Sequence, residues 1–191
     1  MEIIFVTSNL HKLEEAKGIL GQEYNLLSIK DVGVTEDICE CESTLEGNAL
    51  LKARYVWEKF KRSCFADDTG LEVYSLSGNP GVRSARYAGD ECNSHKNREK
   101  LLKEMVGKSD RKARFRTVVA LIIEGEEYLF EGILNGTISQ EPNGNLGFGY
   151  DPIFIPDGAT NTLAQISFEE KNLLSHRGTA LRALAGFLEK R

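Results

Sequence analysis

The sequence lacks long apolar runs and lacks an excess of positive charge. No stretch approaches the roughly 20 consecutive apolar residues that a membrane-spanning helix needs, and the acid Glu2 stands where a signal segment would be apolar. The formal net charge is −5, from 24 Lys and Arg against 29 Asp and Glu. This balance argues against broad binding of nucleic acids or membrane surfaces, although a phosphorylated small molecule still suits a local basic cluster. We expect a soluble, cytoplasmic protein.

A zinc-binding cysteine pattern is also missing. Cys39 and Cys41 are separated by one residue instead of the two of zinc knuckles, and no second close pair exists. The remaining cysteines, Cys64 and Cys92, stand alone, and the three histidines are scattered along the sequence. We therefore predict four reduced thiols.

The patterns that are present predict a mixed α/β fold. A chain of 191 residues, with 41% hydrophobic and 28% charged residues, suits one globular domain with a sizeable core. Asn9 and Gly21 are predicted to cap a helix between them, and Ser43 with Glu46 forms a capping box before a second helix. The predicted strands are 2–7, 25–29, 63–68, 71–76, 113–124, 127–134 and 153–155, and the predicted helices are 12–20, 44–61, 93–106, 167–174 and 175–190.

Two adjacent acids, Asp67 and Asp68, end the apolar strand that begins at Ser63. Neighbouring carboxylates repel each other unless a cation or a solvated cleft accommodates them. Successive side chains of a strand face opposite ways, so the two acids are expected to have different roles. One can hold a metal ion and its water while the other anchors the turn. A solvated Asp-Asp turn after a strand is an equally good interpretation.

Two lysines, Lys12 and Lys52, are candidates for binding phosphate. Residues 7–12 join a buried strand to a helix, and a helix start offers free N–H groups to anions. Asn9 is a candidate cap there and Lys12 a point charge, although an ordinary capped helix is the commoner case. Lys52 lies on the helix after Glu46, where a solvated face is the plain alternative.

The last third of the chain carries groups suited to a planar base. Phe148 and Tyr150 bracket Gly149 before Asp151, so a base could stack there, although a turn before an edge strand explains the same residues. Three donors, Lys171, His176 and Arg177, occur within seven residues; they suit carbonyl or phosphate oxygens, or simply a charged helix junction. Together with the anion-ready helix start and the acid pair, these groups indicate a nucleoside triphosphate site.

At this point the sequence resembles the inosine/xanthosine triphosphate pyrophosphatase family. The matching stretches occur in the family's order over almost the whole chain. They are residues 7–12 (TSNLHK), 48–53 (NALLKA), 66–71 (ADDTGL), 80–87 (PGVRSARY), 147–152 (GFGYDP) and 175–178 (SHRG).

The resemblance implies hydrolysis of non-standard purine triphosphates (ITP, dITP and XTP) to the monophosphate and pyrophosphate. It also implies Mg²⁺ and a homodimer. The implied fold is a long, curved mixed β-sheet flanked by helices, in which residues 1–191 form one domain of two lobes with the site in the cleft between them.

The resemblance also implies roles for particular residues. Asp68 is the proton acceptor and a metal contact, with Glu40 as a further metal ligand and Asp67 as a third candidate. Gly47 departs from the family pattern, since many members have Glu there, and Glu42 or Glu46 is a possible substitute. The triphosphate would be lined by Thr7, Ser8, Asn9, Leu10, His11, Lys12 and Thr69, with Lys52 near it. The nucleoside and its base would be held by Phe148, Gly149, Tyr150, Asp151, Lys171, His176 and Arg177.

Three other functions compete with this prediction. The related Maf-like pyrophosphatases act on pyrimidine or modified triphosphates, but residues 148–151 and 175–178 favour the purine family. A non-catalytic nucleotide sensor is supported by Gly47 alone. A protein-interaction scaffold would depend on the glycine-rich loop 77–90.

Overall fold

The computed structural model describes residues 1–21, 23–36 and 38–191. The strands are β1 (Glu2–Phe5), β2 (Asn25–Ser28), β3 (Cys64–Val73), β4 (Pro80–Gly81), β5 (Lys112–Ile123), β6 (Glu126–Ile138) and β7 (Phe154–Pro156). The α-helices are α1 (Leu10–Leu20), α2 (Leu45–Phe60), α3 (Ser94–Glu104), α4 (Phe168–Leu174) and α5 (His176–Leu188). Short 3₁₀ turns cover Tyr74–Leu76, Ser84–Arg86, Asp151–Ile153 and Leu163–Gln165.

The described strands form a seven-stranded mixed sheet. Their order is β2-β1-β3-β5-β6-β7, with β4 paired to β3. Pairing of β1 with β2 and β3 is parallel, whereas β3 with β4 and β6 with β7 are antiparallel. The prediction of a mixed α/β fold with helices on the sheet is confirmed.

The chain divides into two compact units. The first unit contains Met1–Asp68, Thr117–Gly132 and Arg177–Arg191, and the second contains Thr69–Arg116 and Ile133–His176. Because the strands β3, β5 and β6 each have residues in both segment sets, each unit includes part of the sheet.

The core of the first unit consists of apolar residues from its strands and from α1 and α5. Phe5 of β1 and Phe65 of β3 stack with ring centroids 4.4 Å apart, and Leu181 and Leu184 of α5 belong to the same cluster. The continuous apolar run of β1 is therefore buried in the way a central parallel strand requires.

The second unit has its own core. Leu71 and Val73 at the end of β3 pack with Leu101 of α3 and with Phe115 of β5. Gly70 allows β3 and β4 to approach each other closely, because a Cβ at this position would lie 2.6 Å from the carbonyl oxygen of Gly81 in β4.

Helix ends follow local signals in the sequence. The Asn9 side chain caps α1, Gly21 ends it at φ +68°, and Ser167 with Glu170 forms a reciprocal capping box for α4, so these predictions are confirmed. The predicted Ser43–Glu46 box is wrong. Thr44 is the cap of α2, and its side chain accepts the N–H of Gly47.

The strand that carries the two acids is longer than predicted. β3 continues without interruption from Cys64 to Val73, so Asp67 and Asp68 lie in its middle and not at its end. The predicted separate strand over 71–76 is wrong for the same reason, since Leu71 and Val73 are buried in β3 and Tyr74–Leu76 is a 3₁₀ turn. The predicted hairpin is present, with β6 extending to Ile138.

Two further features concern possible membrane spans and the state of the cysteines. Within the described residues, no helix is both long enough and apolar enough to cross a membrane. The cysteines Cys39, Cys41, Cys64 and Cys92 are all thiols in the described part of the chain, as the spacing predicted.

Candidate functional site

Asp67 is the anchor of a buried cluster of charges in the first unit. Its side chain is 1% exposed, and each carboxylate oxygen takes a cation. Oδ1 lies 3.0 Å from Lys12 Nζ, and Oδ2 accepts a hydrogen bond of 3.0 Å from Arg177 Nε. Arg177 also donates through Nη1 to the buried carboxylate of Glu15. Asp67 therefore connects α1, β3 and α5.

Asp68 faces a different set of groups, as the alternation of a strand requires. Its Oδ2 accepts a hydrogen bond of 3.0 Å from Asn48 Nδ2, and its Oδ1 lies 3.9 Å from Lys52 Nζ. The side chain of Asn48 is itself fixed, because its Oδ1 accepts the backbone N–H of Glu42 at 3.0 Å. Asp68 is thus held by the amide of Asn48 and faces Lys52, whereas Asp67 is held by Lys12 and Arg177.

Lys52 links this acid pair to Glu40. Its Nζ donates to Glu40 Oε1 at 2.6 Å and to the backbone carbonyl of Asp67 at 2.8 Å. Position 52 is one turn after Asn48 on α2, so the spacing of four residues puts both side chains on one helix face. The same helix face therefore presents one amide and one ammonium group to the acid pair.

The two acids differ in pKa because their surroundings differ. Burial alone would raise the pKa of Asp67, but Lys12 and Arg177 outweigh burial and lower it strongly. For Asp68, burial dominates and the charge of Glu40 adds to it, so its pKa is raised although Lys52 and Asn48 oppose the shift. The pKa of Lys52 is raised, since Asp68 and Glu40 together outweigh the effect of burial.

Residues 7–12 form a capped helix start. Asn9 Oδ1 accepts the N–H groups of His11 at 3.0 Å and Lys12 at 3.4 Å, and its own N–H donates to Thr7 Oγ1. The side chains of Ser8, Leu10 and His11 are exposed. The N–H groups at the start of α1 are therefore bonded by an ordinary helix cap, as the alternative to a phosphate site predicted. Lys12 adds its charge to the acid cluster.

The acids of the first unit suit a cation that keeps most of its own water. Among the described residues, no three His, Cys, Asp or Glu side chains form a group that could hold a metal ion. Mg²⁺ does not require such a cage, because it is commonly held by one or two carboxylates together with waters and substrate phosphates. Glu40 and Asp68, both close to Lys52, are two carboxylates that fit that requirement.

Gly47 leaves room that the side chain of Glu42 occupies. A Cβ at position 47 would lie 2.8 Å from Glu42 Cβ and 3.0 Å from Thr44 Oγ1. Glu42 is also attached to the acid cluster through its N–H bond to Asn48. Of the two substitutes considered from the sequence, Glu42 is therefore the one that packs against the glycine.

The second unit contains a compact cluster around Asp151. Its Oδ2 accepts the backbone N–H of Phe148 at 2.7 Å and a hydrogen bond of 2.8 Å from Lys171 Nζ. Asp151 and Lys171 are 4% and 5% exposed, so this ion pair is shielded from water. Lys171 Nζ also lies 4.4 Å from the centroid of the Phe148 ring, within cation–π range.

The two aromatics of this loop have different positions. Phe148 is half-buried, whereas Tyr150 is buried in the core and donates through its hydroxyl to the backbone carbonyl of Ser84 at 2.8 Å. The buried ring of His176 stacks on Phe115, with centroids 4.6 Å apart. Phe148 is therefore the aromatic of this pair that can offer a ring face to a ligand.

The predicted site residues fall into two groups in the structure. Residues 7–12, Glu40, Lys52, Asp67, Asp68 and Arg177 belong to the first unit, and residues 69, 148–151, 171 and 176 belong to the second. Glu15, Asn48 and Ser84 carry part of the framework and were not predicted. Of these three, Glu15 could have been found from the sequence, because it lies next to the apolar stripe of α1, where a buried acid needs a partner.

Gly147 supports the Asp151 cluster, and its substitution gives a testable prediction. Its φ is +70°, and a Cβ there would lie 2.2 Å from Asp151 Oδ2. Gly147→Ala should lower the free energy of unfolding by roughly 2–4 kcal/mol, from left-handed backbone strain plus displaced charged hydrogen bonds. Urea denaturation measures this change.

Gly149 provides the matched control for this prediction. It also has a positive φ, +61°, but a Cβ there meets nothing within 4 Å. Gly149→Ala should therefore lose only the backbone term of about 1–2 kcal/mol. Equal losses for the two variants would show that the contact of Gly147 with Asp151 is unimportant.

Comparison with known proteins adds a family and a set of relatives. The model of the Ham1 family matches residues 3–187. A protein of Flavobacterium psychrophilum named dITP/XTP pyrophosphatase is 50% identical over 189 residues, which cover 99% of this chain and 100% of that protein. A protein of the same name from Porphyromonas gingivalis is 48% identical, over 98% of this chain and 97% of that protein.

A solved structure shares the fold. The structure of a HAM1 protein from Coxiella burnetii superimposes with a TM-score of 0.92 at 36% sequence identity, covering 100% of both chains. The similarity therefore covers both units of the chain.

Proposed function

Because this chain belongs to the Ham1 family, we propose that it is a nucleoside triphosphate pyrophosphatase. It hydrolyses non-standard purine nucleoside triphosphates, namely dITP, ITP and XTP, to the nucleoside monophosphate and pyrophosphate. The names of the relatives, dITP/XTP pyrophosphatase, support this choice of substrate. In a cell, such a reaction removes deaminated purines from the nucleotide pool.

The observation that carries the proposal is the environment of Asp68. A carboxylate with a raised pKa lies beside a lysine and close to a second acid, and the amide of Asn48 donates a hydrogen bond to it. This is the arrangement expected of a group that accepts a proton during hydrolysis. Asp67, with both oxygens in ion pairs, is suited to holding the framework instead.

Mg²⁺ is the proposed cofactor, and Asp68 and Glu40 are the residues that would hold it. When bound, it would neutralise charge on the phosphates and lower the pKa of a water. The sequence prediction also included Asp67 as a ligand. We now propose an anchoring role for Asp67, because Lys12 and Arg177 already compensate its charge.

The reaction needs a proton acceptor and positive charge near the phosphates. Asp68 takes the proton of the water that attacks the α-phosphorus. Lys12 and Lys52, each adjacent to the acid pair, offset the charge that develops on the leaving pyrophosphate. Positioning and electrostatics supply most of the catalysis in phosphoryl transfer, so these lysines are assigned to the phosphate contacts.

The base contacts are assigned to the second unit. Lys171 lies against the Phe148 ring, and a purine would stack on that ring as well. ITP and XTP carry a carbonyl at position 6 where ATP carries an amino group, so donors such as Lys171 and His176 favour the former. GTP has the same carbonyl, so its rejection requires contacts near position 2.

Three further features complete the proposal. We propose that the two units belong to one domain, since the chain passes between their segment sets four times. We also propose that the protein is a cytoplasmic homodimer, as the family resemblance implies. Size-exclusion chromatography with light scattering tests the dimer by its mass.

Pyrophosphate release over a nucleotide panel tests the function directly. With Mg²⁺ present, dITP and XTP should be hydrolysed about 10²-fold faster than dATP or dTTP, because unpaired polar groups reject the wrong base edge. Chelation of the metal by EDTA should abolish release from every substrate.

The panel separates the proposal from its rivals. Faster hydrolysis of pyrimidine triphosphates would indicate Maf-like activity. Binding of dITP without any pyrophosphate release would indicate a nucleotide sensor. Unchanged rates after EDTA treatment would remove the divalent metal from the scheme.

A further inference from the structure

Arg98 contacts the loop to which the base contacts are assigned. Its Nη1 donates a hydrogen bond of 2.7 Å to the backbone carbonyl oxygen of Gly149. The side chain is half-buried and comes from α3, 51 residues earlier in the chain. Arg98 lies outside the stretches that carry the family resemblance, and its charge alone would suggest only a solvated helix face.

The helix that carries Arg98 is firmly attached within the second unit. The neighbouring Asn97 is 3% exposed; its side chain accepts the N–H of Ala88 at 2.7 Å and donates to the carbonyl of Ala85 at 2.8 Å. Leu101, three residues beyond Arg98, is fully buried in the core. The arginine therefore extends from a fixed backbone.

Arg98 contacts the loop of residues 148–151, and the direction of the Gly149 carbonyl is part of the conformation of this loop. Gly149 has a left-handed φ of +61°, so the peptide group after it points in a direction that an extended residue would not give. Bonds on either side restrain its neighbours, with Phe148 N–H on Asp151 and the Tyr150 hydroxyl on Ser84. Arg98 supplies a bond to the peptide between them.

We propose that Arg98 is a positioning residue for the purine, because its guanidinium holds the Gly149 carbonyl and thereby fixes the ring of Phe148. This inference rests on the proposed function, in which Phe148 stacks on the base. Arg98 makes no contact with the reacting groups in this scheme. Its loss should therefore weaken substrate binding and leave the chemical step almost unchanged.

The chemistry of arginine suits this task. A hydrogen bond from a charged donor is stronger than a neutral one, and partial burial reduces competition from water. The planar guanidinium also holds one orientation better than a lysine ammonium, which rotates freely on its stem. A lysine at this position should consequently restore part of the effect, whereas an apolar side chain of similar length should not.

The test compares Arg98→Met with Arg98→Lys and with Lys96→Met as the matched control. Lys96 lies on the same helix, is exposed and pairs with Glu91, so its loss removes the same charge without touching the loop. For dITP with Mg²⁺, Arg98→Met should raise KM about tenfold and change kcat less than about twofold, the range expected for one charged hydrogen bond. Arg98→Lys should recover part of the KM, and Lys96→Met should leave it unchanged.

Hydrogen exchange provides a readout that does not depend on activity. In Arg98→Met, the amides of Phe148 and Asp151 should exchange about tenfold faster than in the wild type, because their loop opens more often. Lys96→Met should show the wild-type rates. If Arg98→Met does not fold, Arg98→Lys serves for the same comparison with a smaller shift.

The outcomes separate this inference from the proposed function. Unchanged exchange in the loop overturns the inference whatever the kinetics show. Faster exchange with an unchanged KM also overturns it, since the position of Phe148 would then be irrelevant to binding. If the wild type releases no pyrophosphate from any triphosphate, the proposed function fails, while exchange still decides whether Arg98 holds the loop.

Discussion

We expect Asp68→Asn to lower the rate of pyrophosphate release from dITP by about 10²-fold or more, the range for losing a general base. Asparagine has nearly the same shape as aspartate, and its carbonyl oxygen can still accept the bond that Asn48 Nδ2 donates to Asp68. The substitution therefore removes the charge and the basic oxygen without opening a cavity. Initial rates at saturating dITP and Mg²⁺ measure the effect.

The control for this prediction is Asp157→Asn. Asp157 is exposed and belongs to the second unit, so its replacement changes the net charge by the same amount far from Asp68 in sequence. We expect the control to keep the wild-type rate. A wild-type rate for Asp68→Asn itself would remove Asp68 as the base and would transfer the question to the other acids near Lys52.

Asp67 and Asp68 show which features of the site could be predicted from the sequence. Alternation along a strand predicted that Asp67 and Asp68 would have different roles, and in the structure their side chains contact different groups. Local sequence could not show that Asp67 is the acid held by two cations, because those cations, Lys12 and Arg177, are far from it in the chain. Pairing over such separations depends on the packing of α1 and α5 and leaves no local signal.

The capping of α1 and α4 was predictable because it is local, whereas the cap of α2 was predicted one residue early, at Ser43 instead of Thr44. Asn9 and the Ser167–Glu170 box bond to N–H groups two or three residues away, so the sequence contains the whole motif. The length of β3 was not predictable in this way. Asp, Thr and Gly after Asp67 resemble a turn, but the burial of Leu71 and Val73 and the pairing with β4 keep the strand extended.

Arg177 illustrates the same limit at the site. As hydrogen-bond donors, Arg177 and His176 suited carbonyl or phosphate oxygens or a charged helix junction, and the family resemblance implied that Arg177 contacts the nucleoside and its base. In the structure its guanidinium is 2% exposed and binds the carboxylates of Glu15 and Asp67. This arrangement favours a role in holding the acid cluster, and the two roles have different experimental consequences.

Replacing Arg177 by methionine should lower the free energy of unfolding by roughly 3–5 kcal/mol, because it removes the guanidinium from the buried carboxylate of Glu15 and leaves Asp67 with Lys12 as its remaining ion-pair contact in the cluster. Methionine keeps much of the volume, so the loss reflects charge more than a cavity. Urea denaturation measures it. Arg182→Met, at an exposed position of the same helix α5, should change stability by less than about 0.5 kcal/mol.

A second substitution isolates the cause of the loss. In the Arg177→Met background, Glu15→Gln removes the charge of one of the two carboxylates that Arg177 bound and should recover part of the stability, although it destabilises the wild type. The base-binding role makes the opposite prediction, since a donor to the purine would alter the ratio of dITP to dATP hydrolysis with little effect on unfolding. A change in the ratio of dITP to dATP hydrolysis at unchanged stability would support a role of Arg177 in binding the base. Loss of stability with partial recovery by Glu15→Gln would place it in the framework that orients the acid pair of β3.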